Sequence, residues 1–347
     1  MKALIDKVRA GIDLNYTDVA RAVGLLLSDE TDDSGKADFL TMLHRKGESA
    51  EEIVAFVRQL IDRAVDPLIE EKNLDGPMID VCGTGGAGLD LFNVSTTIMF
   101  ILAAGGVVVV KHGNRSVTSR CGSADVLEQL GIRFDMPPED LRECVARHGL
   151  GFIFARSYHP AFRALVQMRE RLARKKTRTI FNLLGPLLNP ARPSRQLIGV
   201  YAPRLTSVFA EVLRQLGRER AWVVHGLAET GQGMDDISTG GPTTLTELQH
   251  GRVISGLINP RWLNIAGSTL DELAGGNAQE NATILEGILS GEVKAAKCEL
   301  AIVNAAAGFV VAGLAMDMAT GISMAREQID SGRALQKLRA LQGFGRS

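Results

Sequence analysis

A glycine-rich turn near residue 85 follows a short apolar run. The run, residues 78–82, predicts a buried strand, and residues 83–88 read Gly-Thr-Gly-Gly-Ala-Gly. A helix is predicted to begin shortly afterwards, near Asn93. Glycines let a backbone approach a phosphate closely, and the free amides at a helix start attract anions. The segment is therefore a candidate phosphate-binding loop.

The same spacing, G-x-G-x-x-G, occurs in dinucleotide-binding proteins. In those proteins an acidic residue about 20 positions on, at the end of the next strand, binds a ribose hydroxyl. The next predicted strand here is residues 107–110, and Lys111, His112 and Gly113 follow it. Because no carboxylate stands at this point, the sequence disfavours a dinucleotide site.

The loop after residues 107–110 is basic and rich in hydroxyl groups. Loops that follow neighbouring parallel strands meet at the same edge of a sheet, where ligands of such folds bind. The two loops together predict a site for more than one phosphate group. For either loop alone a structural role stays open, in which the serines cap a helix starting near Ala124 and Lys111 is a solvated strand end. The polar residues of this loop, all within thirteen positions, are Lys111, Asn114, Arg115, Ser116, Thr118, Ser119 and Ser123.

An acidic pair, Asp235 and Asp236, follows a predicted strand that ends at His225 and a short loop with several glycines. Magnesium prefers a small number of carboxylates together with waters and phosphate oxygens of a ligand. An acidic pair on a loop can also simply be solvated. In combination with two phosphate loops, the pair predicts a Mg²⁺ site.

Two kinds of segment must position these residues. Apolar residues recur at helical spacing from residue 2 to about residue 65, and residues 66–77, charged and with two prolines, read as a linker. Beyond it, short apolar strands at 107–110, 152–154, 197–201 and 221–224 alternate with longer helical patterns. Parallel strands need crossovers of that length, so an α/β domain with a parallel sheet is expected.

The composition bounds the function. The chain has 347 residues, 45% of them apolar, and a formal net charge of −1. A nearly neutral chain has no overall field to concentrate polyanions, so nucleic acid is not expected as a partner. The four cysteines are far apart and suggest neither a zinc site nor a disulfide framework. The amino terminus lacks the pattern of a secretory signal and no long apolar run predicts a membrane span, which makes the cytoplasm the expected location.

Several motifs, in the same order, resemble those of the anthranilate phosphoribosyltransferase family, and the resemblance covers nearly the whole chain. It implies a small helical domain, residues 1–70 joined by a segment near 165–190, and a larger α/β domain over 71–347 with a central, mainly parallel sheet of the nucleoside phosphorylase and phosphoribosyltransferase type. It also implies a homodimer. The motifs are GTGG at 83–86 with FNVST at 92–96, KHGNRS at 111–116, TIFNLLGPL at 179–187, GMDD at 233–236 and NAA at 304–306.

The resemblance implies that the chain transfers a phosphoribosyl group from phosphoribosyl pyrophosphate to the amine of anthranilate, a step of tryptophan biosynthesis, with Mg²⁺ as cofactor. Carried over position by position, the catalytic residues are Lys111, His112, Asn114 and Arg169. The metal ligands are Ser95, Asp235 and Asp236. The substrate-binding residues are Gly83, Gly86, Ala87, Leu91, Asn93, Val94, Ser95, Thr96, Lys111, Asn114, Arg115, Ser119, Ser123 and Arg169.

The chain departs from the family's pattern at four of these positions or beside them. Ala87 stands where the family usually has Asp, and Leu91 where it has Thr, so two polar contacts to the donor are missing. Asp236 replaces a Glu and is one methylene shorter, and Arg156 replaces a Pro near the expected entrance for the acceptor. We expect these changes to bear on the identity of the acceptor and on the rate more than on the class of reaction.

Three alternatives stay open at this point. The first is a transferase of the same fold with a different aromatic acceptor. The second is a pyrimidine nucleoside phosphorylase, whose different lysine-serine signature at the phosphate loop is not found here. The third is a nucleic-acid-binding paralogue, which would have lost both loops and gained a basic surface, whereas this chain keeps both loops and is nearly neutral. The basic run in residues 163–178 is typical of a solvated helix face, and neither nucleic acid nor a membrane is expected as a partner.

Overall fold

The computed structural model describes residues 1–85, 88–116, 120–175 and 177–345. Helices make up the amino-terminal part, and strands alternate with helices in the larger part that follows. The helices are α1 (Lys2–Arg9), α2 (Tyr16–Leu27), α3 (Asp33–Lys46), α4 (Ala50–Ile61), α5 (Val94–Ala104), α6 (Ser123–Gln129), α7 (Pro138–His148), α8 (Ala155–Tyr158), α9 (Val166–Arg174), α10 (Phe181–Leu184), α11 (Leu205–Gln215), α12 (Leu270–Leu273), α13 (Ala278–Leu289), α14 (Ala296–Ala312), α15 (Met318–Asp330) and α16 (Arg333–Gly343).

The sheet is parallel at its centre and antiparallel at one edge. Its strand order is β3-β2-β1-β4-β5-β7-β8, with β6 paired to β5. Strands β1 to β5 pair in parallel, because a helical crossover separates each of them from the next. The predicted α/β fold with a small helical part is therefore confirmed. The strands are β1 (Met78–Gly83), β2 (Val108–Gly113), β3 (Leu150–Phe154), β4 (Arg195–Gly199), β5 (Arg220–Leu227), β6 (Gly233–Met234), β7 (Thr243–Gln249) and β8 (Arg252–Ile258).

The hairpin of β7 and β8 is an element that the sequence analysis missed. His250 and Gly251 connect the strands, with φ of 50° and 72°. Two consecutive residues with positive φ match the right-handed twist of a two-residue hairpin, and glycine adopts that conformation readily. A glycine-containing pair between two runs rich in β-branched residues was the available signal.

The helices α1–α4 share one apolar core with a later part of the chain. Leu165 and Met168, with Leu183 and Leu184 of α10, are buried in the same cluster as Phe39 of α3. The cluster also reaches one face of the sheet through β4 and β5. A segment near residues 165–190 thus packs with the amino-terminal helices, while the division at residue 70 stays a prediction because the packing continues across it.

Helix α14 is buried on nearly every side and holds α5 against the sheet. A Cβ at Gly308 would lie 2.7 Å from the side chain of Leu102, and one at Gly105 would collide with the ring of Phe309. Glycine at these two positions lets the helices approach closely. Helix α5 is therefore fixed along its length, and its first turn lies at the carboxyl edge of the sheet. In the described residues, no helix is long and apolar enough to cross a membrane.

Candidate functional site

Strands β1 and β2 end side by side at the carboxyl edge of the sheet. Lys111 and His112 belong to β2, so the strand runs further than predicted. Both are buried, with relative exposures of 2% and 7%. Lys111 is therefore not a solvated strand end, which removes one of the structural alternatives.

Lys111 lies between the end of β1 and the first turn of α5. Its Nζ donates to the backbone oxygen of Val81, at 2.5 Å, and to Oγ of Ser95, at 3.1 Å. Burial lowers the pKa of the Lys111 amine, and the negative charges near it, including Asp80 and Asp236, oppose this effect only in part. An ammonium group is thus held beside a helix start and two carboxylates.

The first turn of α5 offers unpaired polar groups. Asn93 is the residue before the helix, and its side chain makes no capping bond. Asn93 Oδ1 and Thr96 Oγ1 are buried and have no hydrogen-bond partner among the described residues. Val94 is buried, and its amide donates to the oxygen of Phe92 at 2.8 Å. The remaining amides of this turn have no carbonyl partner within the helix, which favours an anion there.

The acidic pair lies directly against the ends of the strands. Oδ2 of Asp235 accepts the backbone amide of Gly85, at 2.9 Å. A Cβ at Gly83 would lie 2.5 Å from that carboxylate, and one at Gly199 would collide with the backbone oxygen of Asp235. Glycine at these two strand ends therefore makes room for the acidic loop. The loop is fixed from behind by Asn304, which bonds both backbone groups of Ile237 at 2.9 and 3.0 Å.

Ser95, Asp235 and Asp236 line one cavity of about 10 Å³. Burial raises the pKa of Asp235. It raises the pKa of Asp236 well above its usual range, with a further rise from the charge of Asp235 and an opposing effect of Lys111. In the part of the chain that the structure describes, no group of three His, Cys, Asp or Glu side chains could hold a metal. Two carboxylates and a hydroxyl nevertheless suit Mg²⁺, which keeps waters and ligand phosphate oxygens, and a cation would relieve the repulsion between the carboxylates.

The ring of His112 has one occupied and one free nitrogen. Nδ1 lies 3.0 Å from the backbone oxygen of Gly185, and a carbonyl only accepts, so Nδ1 carries the proton. Nε2 is buried and has no partner among the described residues. Burial, with a smaller effect of neighbouring His159, lowers the pKa of His112 to about 3. His112 thus presents a neutral acceptor nitrogen.

We expect His112 to make the fold sensitive to acid. Because its pKa falls from 6.5 to about 3 on folding, the unfolded chain binds a proton that the folded chain excludes. The resulting stabilisation is complete above pH 6.5 and is lost as the pH falls towards 3. The free energy of unfolding in urea should therefore drop less between about pH 6.5 and 4 in His112→Gln than in the wild type. A His250→Gln variant, changed on the exposed hairpin turn, is the control, and equal slopes in all three proteins would contradict the assignment.

Arg169 of α9 lies next to an aromatic cluster that contains His112. Its guanidinium stacks on Phe181, with 5.2 Å from Cζ to the ring centre. The cluster, here His112, His159, Phe162 and Phe181, consists of rings in successive contact at 5.3–5.8 Å. Burial, and then the charge of Arg156, lower the pKa of Arg169. Among the described residues no carboxylate forms an ion pair with Arg169, so its charge is available to a ligand.

Comparisons with known proteins agree with this arrangement. Residues 2–64 match the model of the glycosyl transferase family, helical bundle domain, and residues 75–335 match that of the glycosyl transferase family, a/b domain. The anthranilate phosphoribosyltransferase of Desulfatibacillum aliphaticivorans is 42% identical over 341 residues, which cover 98% of this chain and 97% of that protein. The chain belongs to the anthranilate phosphoribosyltransferase family.

Solved structures of the family have the same fold. Anthranilate phosphoribosyltransferase from Thermus thermophilus superposes with a TM-score of 0.89 at 35% identity, over 99% of both chains. The enzyme from Saccharomyces cerevisiae, in complex with phosphoribosyl pyrophosphate and Mg, has a TM-score of 0.84 at 25% identity, over 98% of this chain and 96% of that one. The resemblance inferred from the motifs is therefore confirmed.

The other residues carried over from the anthranilate phosphoribosyltransferase family have more varied surroundings. Arg115 forms ion pairs with Asp125 and Glu128, at 3.0 and 2.7 Å, so its guanidinium is already occupied. Asn114 accepts the amide of Arg115 through Oδ1, and Ser123 Oγ donates to the oxygen of Asn114 at 3.2 Å. Leu91 is apolar and bridges Ala274 through its backbone. Gly86, Ala87 and Ser119 lie outside the described residues.

Several polar residues at the site were not predicted. Asp80 and Asn189 are buried beside Lys111 and His112, and His159 contacts the ring of His112. No local motif identified Asp80 or His159. An Asn-Pro pair after the 179–187 motif was visible, but its usual meaning is a turn. Only the fold brings these residues to the site.

Proposed function

We propose that this protein transfers the phosphoribosyl group of phosphoribosyl pyrophosphate to the amine of anthranilate and releases pyrophosphate, as part of tryptophan biosynthesis. Mg²⁺ is its cofactor. The observation that carries the proposal is the meeting of Lys111, Ser95 and the acidic pair at the carboxyl ends of β1 and β2, directly beside His112. Full-length similarity to enzymes of this name supports it.

The donor would bind at the first turn of α5. Ser95, Asp235 and Asp236 would hold Mg²⁺, which neutralises charge on the leaving pyrophosphate. The ammonium group of Lys111 and the free amides of the helix start supply further positive potential to the same group. Because these groups are fixed by the fold before the donor binds, little reorganisation is needed when negative charge develops.

The acceptor would bind along the aromatic cluster. Arg169 offers a planar fork that matches the carboxylate of anthranilate, and the amide of Asn114 orients the ring. His112 Nε2 accepts a hydrogen bond from the amine and so directs the nitrogen lone pair towards C1 of the ribose. An aromatic amine is nucleophilic without prior deprotonation, and a histidine with a pKa of about 3 is a poor proton acceptor. His112 therefore positions the amine, and no obligatory general base is assigned.

Arg169→Ala should raise the KM for anthranilate by about tenfold or more, because a charge-assisted bidentate contact is lost. The KM for phosphoribosyl pyrophosphate should change far less. Steady-state kinetics with each substrate varied in turn gives both values. Arg171→Ala is a matched control on the same helix. Arg171 is exposed and forms a surface ion pair with Asp33, at 3.6 Å, and such pairs contribute little to stability. An equal loss for both substrates would show that the helix had been disturbed instead.

A panel assay tests the proposed function itself. Phosphoribosyl pyrophosphate is offered with anthranilate, other aminobenzoates and pyrimidines, with and without Mg²⁺, and pyrophosphate release is followed. Anthranilate should be the best acceptor, and transfer should require the metal. Transfer to a pyrimidine without transfer to any amine would contradict the proposal. A different aromatic acceptor is the second candidate, favoured by the extra positive charge of Arg156 near Arg169.

We further propose a homodimer that works in the cytoplasm. Ile12 and Tyr16, each 53% exposed, give the helical part an uncovered apolar surface, and the resemblance implies a dimer contact through the helical domain. None of the four cysteines, all of which lie in the described part of the chain, forms a disulfide, which suits a reducing compartment. Sedimentation velocity of the wild type and of Tyr16→Glu tests the dimer: a monomeric wild type would contradict it.

A further inference from the structure

Strands β1 and β2 separate before they reach the site. Their pairing consists of Met78 with Val108 and Ile79 with Val109, and it stops there. From Asp80 onward β1 pairs only with β4, and from Val110 onward β2 pairs only with β3. A gap in the backbone hydrogen bonding between the two strands thus begins here, at the edge where the substrates are proposed to bind.

Buried polar side chains fill this gap and take over the missing backbone bonds. Oδ1 of Asp80 accepts the backbone amide of His112, at 3.2 Å. Nδ2 of Asn189 donates to the backbone oxygen of Val110, at 2.8 Å, and to Oδ2 of Asp80, at 2.9 Å. Lys111 Nζ donates to the backbone oxygen of Val81. Three of these bonds join a side chain to the backbone where β1 and β2 no longer pair with each other, and the fourth joins Asn189 to Asp80.

The set is complete and sealed from solvent. Asp80 and Asn189 have relative exposures of 0% and 1%. Oδ2 of Asp80 accepts one proton of the Asn189 amide, and Val110 accepts the other. Oδ1 of Asn189 accepts the backbone amide of Ala191, at 3.0 Å. A buried polar group without a partner is costly, so removal of one member leaves the others unsatisfied and the gap can no longer keep this geometry.

Asn189 also belongs to the segment that sets the ring of His112. The backbone oxygen of Gly185, four positions before Asn189, accepts a hydrogen bond from His112 Nδ1. The backbone oxygen of Leu188 lies 2.8 Å from His159 Nε2. This segment packs in the same apolar core as the amino-terminal helices, through Leu183 and Leu187. Asn189 therefore fixes the position of Gly185 relative to β2, and through it the direction of His112 Nε2.

We infer that Asp80 and Asn189 are a positioning pair for the transfer reaction: they join the ends of β1 and β2 where the backbone pairing has stopped, and they fix the tautomer and direction of His112. The inference rests on the proposed function for its catalytic consequence. Both residues are buried and act through His112 and Lys111, because they bind the backbone of the strand that carries these two residues.

Asn189→Leu removes the donor while it nearly keeps the volume. At saturating substrates, kcat should fall by about tenfold or more, because small displacements of aligned groups are costly for rate. The KM values should change by less than about threefold, since the groups that bind the substrates are retained. Asn281→Leu, on helix α13, is the matched control: Asn281 has a relative exposure of 2%, and its amide also donates to two backbone oxygens, those of Gly276 and Asn277.

A second measurement does not depend on activity. In ¹⁵N spectra of the imidazole groups, with the His112 signals assigned by loss in His112→Gln, the wild type should show the Nδ1-protonated tautomer. Asn189→Leu should show a mixture of tautomers, and Asn281→Leu should match the wild type. If the wild type transfers no phosphoribosyl group, the proposed function fails while the spectra still test the pair.

Asp80→Asn is the second variant in case Asn189→Leu does not fold. It keeps the shape but sets an amide group against the backbone amide of His112 or against Asn189, and the same losses are expected. If whichever of the two variants folds has the same ¹⁵N spectrum and the same kcat as Asn281→Leu, the inference is overturned. The pair would then only support the fold.

Discussion

Replacement of Asp235 and Asp236 together by Asn is expected to lower turnover by about 100-fold or more, because the leaving pyrophosphate loses the groups that hold its counter-ion. The fold should survive, with a thermal midpoint at least equal to that of the wild type. Burial raises the pKa of both carboxyls, so the folded protein bears a cost for their charge that the amides do not have. Steady-state turnover against free Mg²⁺ and thermal melting measure the two effects.

Asp236→Glu serves as the companion variant. It keeps the charge and adds one methylene, so it should retain turnover and reach half-maximal rate at a lower Mg²⁺ concentration than the wild type. Two results would refute the metal assignment. One is a double Asn variant that melts normally and keeps full magnesium-dependent turnover, and the other is an Asp236→Glu variant as inactive as the double Asn variant.

Lys111→Met should weaken binding of phosphoribosyl pyrophosphate by about tenfold to 100-fold, since a buried charged donor is lost. The effect has a second source. The charge of Lys111 lowers the pKa of Asp236 and of Asp80, so without it both carboxyls are protonated more readily and Asp236 becomes a poorer metal ligand. Calorimetric titration of the donor at fixed Mg²⁺ measures the loss.

Lys337→Met provides the control for this variant. Lys337 is half-buried and donates to a backbone oxygen, that of His148 at 2.6 Å, away from the site. Its replacement should leave donor affinity unchanged. If Lys111→Met binds the donor as tightly as the wild type and only melts earlier, Lys111 is a structural residue that closes the gap between β1 and β2.

Much of the fold could be predicted because its signals are local. The helices of the first 65 residues, the strands near 78, 108, 150, 197 and 221, and the helical last third follow from hydrophobic periodicity and turn residues within short windows. The β7–β8 hairpin was not predicted, because β8 is largely exposed and neither strand has a clear apolar run. The end of β2 was placed too early, since Lys111 and His112 are polar by type but buried in fact.

The site, like the fold, could be predicted only in part. Residue type and local spacing singled out Gly83, Lys111, Asp235 and their neighbours as carriers of phosphate and metal chemistry, because loops at strand ends have recognisable composition. The sequence could not show that the guanidinium of Arg115 is engaged by Asp125 and Glu128, a pairing that leaves Lys111 as the buried cation facing the acidic pair.

Contacts between distant segments were decided only by the tertiary structure. The carboxylate of Asp235 meets the amide of Gly85 across 150 positions, and Asn189 meets Asp80 across 109. No periodicity within a helix or strand records such a meeting, because it depends on strand order and on where the sheet opens. Residue types and their local order show which groups are present and in which loops they stand. The fold determined which of them are buried, which are already paired, and which nitrogen of His112 is left free.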